Sequence, residues 1–431
     1  TALTSFKGGT GADSLDVSNL TAAQLQAFTA GKLDGGTGTD TLIVGSAAAT
    51  ALTANVNQSG FEALSISKLS GSVDFGKFGS GIETVSLVDT MPQVGNATFN
   101  NVTSGVTFAL SDKHGGFTET FNSVGAGLTD SLNITVKAGV NVGTITTAGF
   151  ETVTETLATG GATVFNAISA TASPGANVTY NFVDDSAGAV TISALNVGVG
   201  GTFNIGGTGV GGITLNGVVT AGAINASTAA SGLNMTGSSA GPISILGSAQ
   251  ADTLRGGNFG DSIGGGGGND MIAPGLGADT VGGGLGADVF TSTVGGSNFA
   301  GPGQGVLSTG STLGNTILPG QTITFGNGVD RVTDFVSGTD KADVVMAGVA
   351  PTDFINANAN AGIAANSTVV LYGSYDSATR VFTAASTFVA GASADAVVAV
   401  GNGAGTMTLN NHDGIVVLTG LNQMLQAGDF M

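Results

Sequence analysis

The sequence predicts an all-β protein, a parallel β-roll or β-solenoid with additional β-strand layers, and three observations carry that prediction. Five nine-residue units follow one another from Gly247 to Thr291 without an insertion or deletion. The composition, 75 glycines with only 9% charged residues, favours turns and strands over helices. Short Thr/Val/Asn-rich apolar segments recur between Val178 and Leu246 with turn residues between them, the pattern of stacked strands.

The nonapeptides come first because their chemistry is the most explicit. The sixth residue of each is an aspartate, Asp252, Asp261, Asp270, Asp279 and Asp288, and the eighth is apolar, Leu254, Ile263, Ile272, Val281 and Phe290. Glycines at the first, second and fourth positions are expected to permit positive φ and a tight turn whose carbonyls point to one place. They are Gly247, Gly256, Gly257, Gly265, Gly266, Gly268, Gly275, Gly277, Gly283, Gly284 and Gly286. The remaining three residues form a short strand that turns one apolar side chain inward. One unit buries almost nothing, so units must stack, and stacking brings aspartates of neighbouring coils together. Such a row needs a cation, and an oxygen-only, flexible site suits Ca²⁺ better than Mg²⁺. Ser248, Gln250, Phe259 and Pro274 replace glycines, which weakens the outer turns more than the central one. A flexible Gly-rich linker would have no reason to hold Asp and an apolar residue in register through all the units.

Composition excludes several functions. A net charge of −19, with ten Lys plus Arg against 29 Asp plus Glu, argues against nucleic acid, whose binding needs clustered basic residues. The same imbalance fits a chain that expects a divalent counter-ion. The absence of cysteine excludes disulfides, Cys-based zinc sites and thiol catalysis. No apolar run reaches the length of about 18 residues that a transmembrane helix requires. Thr1 opens no signal peptide, so the chain is expected to begin inside a longer protein.

In chain order, residues 1–89 form an N-terminal region with two further complete units, ending at Leu15 and Leu42 and carrying Asp13 and Asp40. Between them, Ser18 to Lys32 predicts a short helical insertion, with a Ser or Thr cap, Leu20, Leu25 and Phe28 at helical spacing, and Gly31 as the stop. From about residue 42 the pattern predicts strands. A second motif recurs at Gly60-Phe61-Glu62, Gly81-Ile82-Glu83 and Gly149-Phe150-Glu151, where the glutamate is expected to cap a backbone amide or to reach a metal, the structural role being favoured. Residues 90–246 read as a β-solenoid-like strand region whose coil the nonapeptides continue. Residues 247–345 combine the repeat with a closing segment containing Asp330, Asp334, Asp340, Lys341 and Asp343. Residues 346–431 read as a C-terminal β region around Val369 to Tyr372 and Gly414 to Leu421. Its uncharged apolar end, Phe430 and Met431, suits a type I secretion signal.

No catalytic constellation is visible. His114 and His412 are the only histidines and form no His-Glu-x-x-His. One Gly-x-Ser-x-Gly occurs around Ser239, but Pro242-Ile-Ser-Ile-Leu246 offers a strand where a nucleophile elbow needs a helix. The protein is therefore read as no enzyme.

The Gly-Gly-x-Gly-x-Asp-x-apolar-x units resemble the repeat of RTX proteins, the calcium-binding parallel β-roll family exported by type I secretion. The segment from Asp330 to Asp343 resembles the one that closes the roll in that family. The repeats at both ends, the Gly-x-Glu motif and the Ala/Thr/Gly/Asn-rich composition further resemble the C-terminal part of Gram-negative RTX surface-layer (S-layer) proteins of the Caulobacter type. That resemblance implies several bound Ca²⁺ ions, with Asp13, Asp40, Asp334, Asp340 and Asp343 joining the nonapeptide residues as metal ligands. It also implies an extracellular structural protein that assembles with itself into a two-dimensional lattice. Lipopolysaccharide would be held through a region outside this chain. The alternatives are a secreted RTX adhesin or the carrier domain of an exported enzyme. The resemblance further implies two nonapeptides per coil, which pairs Asp252 with Asp270, Asp270 with Asp288, and Asp261 with Asp279. Asp270 alone then serves two sites within the five units.

Overall fold

The computed structural model describes residues 4–67, 69–87, 95–110, 116–125, 127–137, 139, 141–291, 319–325, 329–342, 352–353, 367–391, 394–401 and 414–430. His114, His412 and Asp343 lie outside the described residues, as do Met431 and most of the Gly/Ser-rich stretch after Thr291. The chain forms two compact units, residues 1–221 with 229–231, and residues 222–228 with 232–431.

The first unit is a parallel β-solenoid. One strand series runs through Ser14–Asp16, Thr41–Gly45, Ala63–Ser67, Thr84–Leu87, Thr107–Leu110, Ser131–Lys137, Thr152–Ala158, Thr179–Asp184 and Leu195–Gly207, each parallel to the next. A second series runs through Gly71–Asp74, Ala97–Val102, Thr118–Ser123, Asn141–Ala148, Thr163–Thr171, Val190–Ile192 and Ile213–Leu215. Alternation explains why these segments form strands: Leu132, Ile134 and Val136 point inward while Asn133 and Thr135 remain half-buried outside. Because the pairing is parallel and in register, like side chains stack on like. Phe99 lies on Phe121 with ring centroids 5.5 Å apart and planes 4° from parallel. Outside, Asn122 donates to Asn100 at 2.8 Å and Asn204 to Asn181 at 2.9 Å, so the outer face is held by amide ladders rather than by charges.

The helical insertion is present but short, Ala22–Gln26, with Thr21 as N-cap in a reciprocal capping box with Gln24 and with Leu25 buried. The strand reading from residue 42 needs a correction, because Ser46–Thr50 is a second helix that buries Ala48 and Ala49. An Ala-Ala-Ala run has a strong helical preference, and the one β-branched residue, Thr50, stands at the last position of the helix. Phe75–Phe78 is a turn of 3₁₀ helix that buries both phenylalanines.

The second unit carries the nonapeptides on two parallel series. Residues 223–225, Ser244–Leu246, Ser262–Gly267, Thr280–Leu285, Asp330–Val332 and Gly414–Leu418 make one. Leu233–Met235, Thr253–Gly257, Met271–Gly275, Val289–Phe290 and Lys341–Ala342 make the other. All five eighth-position residues are buried, from Leu254 to Phe290. The strands expected in the tail are there but change direction. Ser367–Asp376 pairs antiparallel with both Val381–Ala384 and Asp395–Gly401, and the latter pairs antiparallel with Gly414–Leu418. Gly414–Leu418 thus joins the parallel stack on one side and the antiparallel sheet on the other, covering an edge that would otherwise be open.

Candidate metal centre

The predicted aspartate pairs are brought together, with two nonapeptides per coil. The backbone N–H of Asp252 donates to Asp270 Oδ1 at 2.8 Å, that of Asp261 to Asp279 Oδ1 at 2.8 Å, and that of Asp270 to Asp288 Oδ1 at 2.9 Å. Each carboxylate therefore caps the amide of the aspartate one coil earlier. The closing segment extends both rows: Asp279 N–H donates to Asp330 Oδ1 at 3.1 Å and Asp288 N–H to Asp340 Oδ1 at 3.0 Å. At the other end, Asp252 and Asp261 accept from the amides of Leu233 and Ile243, where the preceding coil has no acid.

Two expectations change. Asp279, flanked by Asp261 and Asp330, holds the same two-sided position as Asp270, so Asp270 is not unique once the closing segment is counted. Asp334 is not a rung of the row; its carboxylate accepts from Gly283 and Gly284 N–H, both at 2.9 Å. Asp330 takes the rung instead, and its Asp330-Arg-Val332 order repeats the Asp-x-apolar register of the nonapeptides.

The glycines also divide by role. Glycines at positions two and four take positive φ in the third, fourth and fifth units, as in Gly266 (+107°), Gly268 (+101°), Gly284 (+98°) and Gly286 (+140°), whereas Gly257 in the second unit does not. The first position does not, contrary to expectation. It is glycine because of space: a Cβ on Gly265 would stand 2.2 Å from Asp270 Oδ2, and one on Gly283 would stand 2.1 Å from Asp288 Oδ2. Pro274, which carries a Cβ, shows that a first position needs no left-handed backbone and that the crowding is not the same in every coil.

The electrostatics are one-sided. Burial pushes the Asp270 carboxyl up to about 7, with the charges of Asp252 and Asp288 adding to it. Burial does the same to Asp279, also to about 7, with Asp261 adding, and raises Asp330 strongly. Asp270 Oδ2, Asp279 Oδ2 and Asp330 Oδ2 are buried without a hydrogen-bond partner. The nearby cations do not answer them: the Arg255 guanidinium donates to Thr236 O and the Lys341 ammonium to Gly428 O. Among the described residues the one ion pair is Lys77 with Asp74, in the first unit. Orphaned anionic oxygens beside glycine turns fit a hard divalent cation, which removes the cost of burying them. Among the described residues no three acidic or His side chains cluster, so most of the ligands of such an ion would be backbone carbonyls.

The first unit repeats the device with different acids. Asp13 N–H donates to Asp40 Oδ1 at 2.7 Å, and Asp40 N–H to Glu62 Oε2 at 2.9 Å; Asp40 Oδ2 is buried without a partner. Glu151 accepts from the amides of Asp130 and Ser173 at 2.9 and 3.0 Å. In two of its three occurrences, at Glu62 and Glu151, the Gly-x-Glu motif thus caps backbone amides, with glutamate in the rung position. Residues around Ser239 lead into the strand Ser244–Leu246, the strand expected there. Buried acids that the sequence reading passed over are Glu119, Glu155, Asp184 and Asp429. Comparison with protein families, curated proteins and solved structures found no match for this chain.

Proposed function

We propose that this chain is the calcium-folded body of an extracellular structural protein that assembles with copies of itself into a surface layer. The observation that carries this reading is the row of buried carboxylates from Asp252 to Asp340, with orphaned oxygens and, among the described residues, no ion pair to a cationic side chain. Asp252, Asp261, Asp270, Asp279, Asp288, Asp330 and Asp340, with the carbonyls of the glycine turns, would hold the ions. Bound Ca²⁺ supplies the positive charge that lets the coils stack with their acids ionised. Extracellular calcium modules bind at roughly 10⁻⁴ to 10⁻³ M, so such a chain is loose where calcium is scarce and rigid where it is plentiful.

Support for assembly comes from the surface. The outer faces of the coils carry Asn and Thr ladders and few charges, a neutral surface on a chain of net charge −19. Calcium that neutralises the rows also lowers the repulsion between copies. Negative-stain imaging with calcium and with chelator tests the reading: a regular sheet in calcium alone supports it. Dispersed single molecules in both conditions refute assembly, and tight binding of one defined ligand by those single molecules would favour an adhesin instead.

A further inference from the structure

The second unit has a cleft of about 170 Å³ beside the roll, lined by Thr280, Val329, Arg331, Tyr375, Ser377 and Arg380, with buried Asp279 in its wall. The chain has only three arginines, and two of them meet here. Arg331 comes from the strand Asp330–Val332, whose register places it between Thr280 and Val417. Arg380 comes from the turn that joins Ser367–Asp376 to Val381–Ala384, where it adopts a left-handed backbone with φ of +57°. A non-glycine residue held in that region is uncommon and marks a position worth a functional question.

Neither guanidinium has an ion-pair partner among the described residues. None of the acids nearby forms an ion pair with either arginine. Asp376 accepts from the amides of Ala378 and Thr379 and Asp395 from those of Tyr375 and Gly420, while Asp279 accepts from the amide of Asp261 through Oδ1 and keeps a buried, unpartnered Oδ2. Both arginines lie close enough to the Tyr375 phenol to favour its ionised form, although burial, the larger effect, raises its pKa. Phe325 packs edge-on to the Tyr375 ring at 6.2 Å and holds it in the wall. Two guanidinium forks, a phenol and the Ser377 and Thr280 hydroxyls line one cleft, a set of donors suited to a planar or tetrahedral oxyanion.

We propose that this cleft binds a small oxyanion, a carboxylate or phosphate carried on a sugar-sized molecule, between Arg331 and Arg380. Size limits the ligand to one such residue, because pockets for drug-sized molecules run to about 300–1,000 Å³. Arginine is suited to the task because its fork donates two parallel hydrogen bonds to one anionic group. The site borders the aspartate row at Asp279 but takes a ligand of the opposite charge.

Titration calorimetry at constant ionic strength tests this with glucuronate, glucose 1-phosphate and glucose, run on the full chain in calcium. Saturable binding of either acidic sugar with none of glucose is expected, and the comparison of the two acids separates a carboxylate from a phosphate site. Arg380→Asn keeps a residue that accepts the left-handed backbone while removing the charge, and Arg331→Gln removes the other fork. Each should weaken binding at least ten-fold with the circular dichroism spectrum and melting temperature unchanged. Arg380→Lys serves as the control for charge without the fork and should recover only part of the affinity. No saturable binding of either acid, equal binding of glucose, or undiminished binding by both charge-removing variants would overturn the proposal.

Discussion

Glu155→Gln offers the sharpest test of how the first unit is held together. Glu155 sits on the inward face of Thr152–Ala158 with no exposed surface, and the hydroxyl of fully buried Tyr180 donates to its carboxylate. Its acidic neighbour is Glu119, also fully buried, on the facing series. Burial pushes the Glu155 carboxyl from the ordinary 4.5 up to about 7, and the charge of Glu119 adds to the shift. The folded chain therefore keeps a proton that the unfolded chain has lost between those two values. Stability from this group is fully present below pH 4.5, falls as pH rises toward 7, and stays lost above it. A difference of two to three pH units corresponds to roughly 3 kcal/mol at 1.36 kcal/mol per unit. Glutamine keeps an acceptor for Tyr180 and cannot ionise. The variant should exceed the parent by under about 1 kcal/mol at pH 5 and by roughly 3 kcal/mol at pH 8. Denaturant unfolding of both proteins in saturating calcium, followed by circular dichroism at pH 5, 6, 7 and 8, measures this, and taking the difference isolates the one group. Parallel pH profiles would refute the argument.

Four further outcomes are expected. Chelation should unfold the roll of the second unit, and a far-ultraviolet circular dichroism spectrum unmoved by chelator would count against the metal reading. Asp270→Ala and Asp279→Ala should each remove two calcium sites, while Asp252→Ala and Asp261→Ala remove one. At ten times the dissociation constant a site contributes about 1.4 kcal/mol, so calcium-dependent stabilisation should fall by about 3 against about 1.4 kcal/mol, read from melting temperature against calcium. Gly284→Ala, at φ of +98° with a Cβ 2.2 Å from Gly266 O, should cost about 1–3 kcal/mol or more, whereas Gly11→Ala, with nothing within 4 Å, should be close to neutral in thermal unfolding. Light scattering should rise with millimolar Ca²⁺ and not with NaCl of equal ionic strength.

Much of the roll was legible because its period is exact in the letters. The nonapeptide register alone places Leu254, Ile263, Ile272, Val281 and Phe290 in the core and pairs the aspartates across coils. The first-position glycine was misread because φ and crowding both select glycine, and only the distance to Asp270 Oδ2 tells them apart. Asp330 was passed over for Asp334 because a long non-repeat stretch separates it from Asp288, although its Asp-x-apolar order was present. Glu155 was legible in principle, since strict alternation puts it on the same face as Val153 and Leu157. Arg331 and Arg380 could not be paired from sequence, because the antiparallel return of the tail that joins them leaves no periodic signal.

The capping in the second unit also has a polarity. Each aspartate amide from Asp252 to Asp288 is satisfied by an acid that lies later in the chain, never earlier. A coil made first therefore waits for its successor, and the wait ends only when Asp330 and Asp340 arrive from outside the repeat. Growth of the stack is like a zip whose slider is at the carboxyl end: shortening the repeat from within leaves a working slider, whereas removing residues 330–342 leaves the Asp279 and Asp288 amides uncapped. Repeat number is thus free to vary in such a chain, and the irregular segment after it is not.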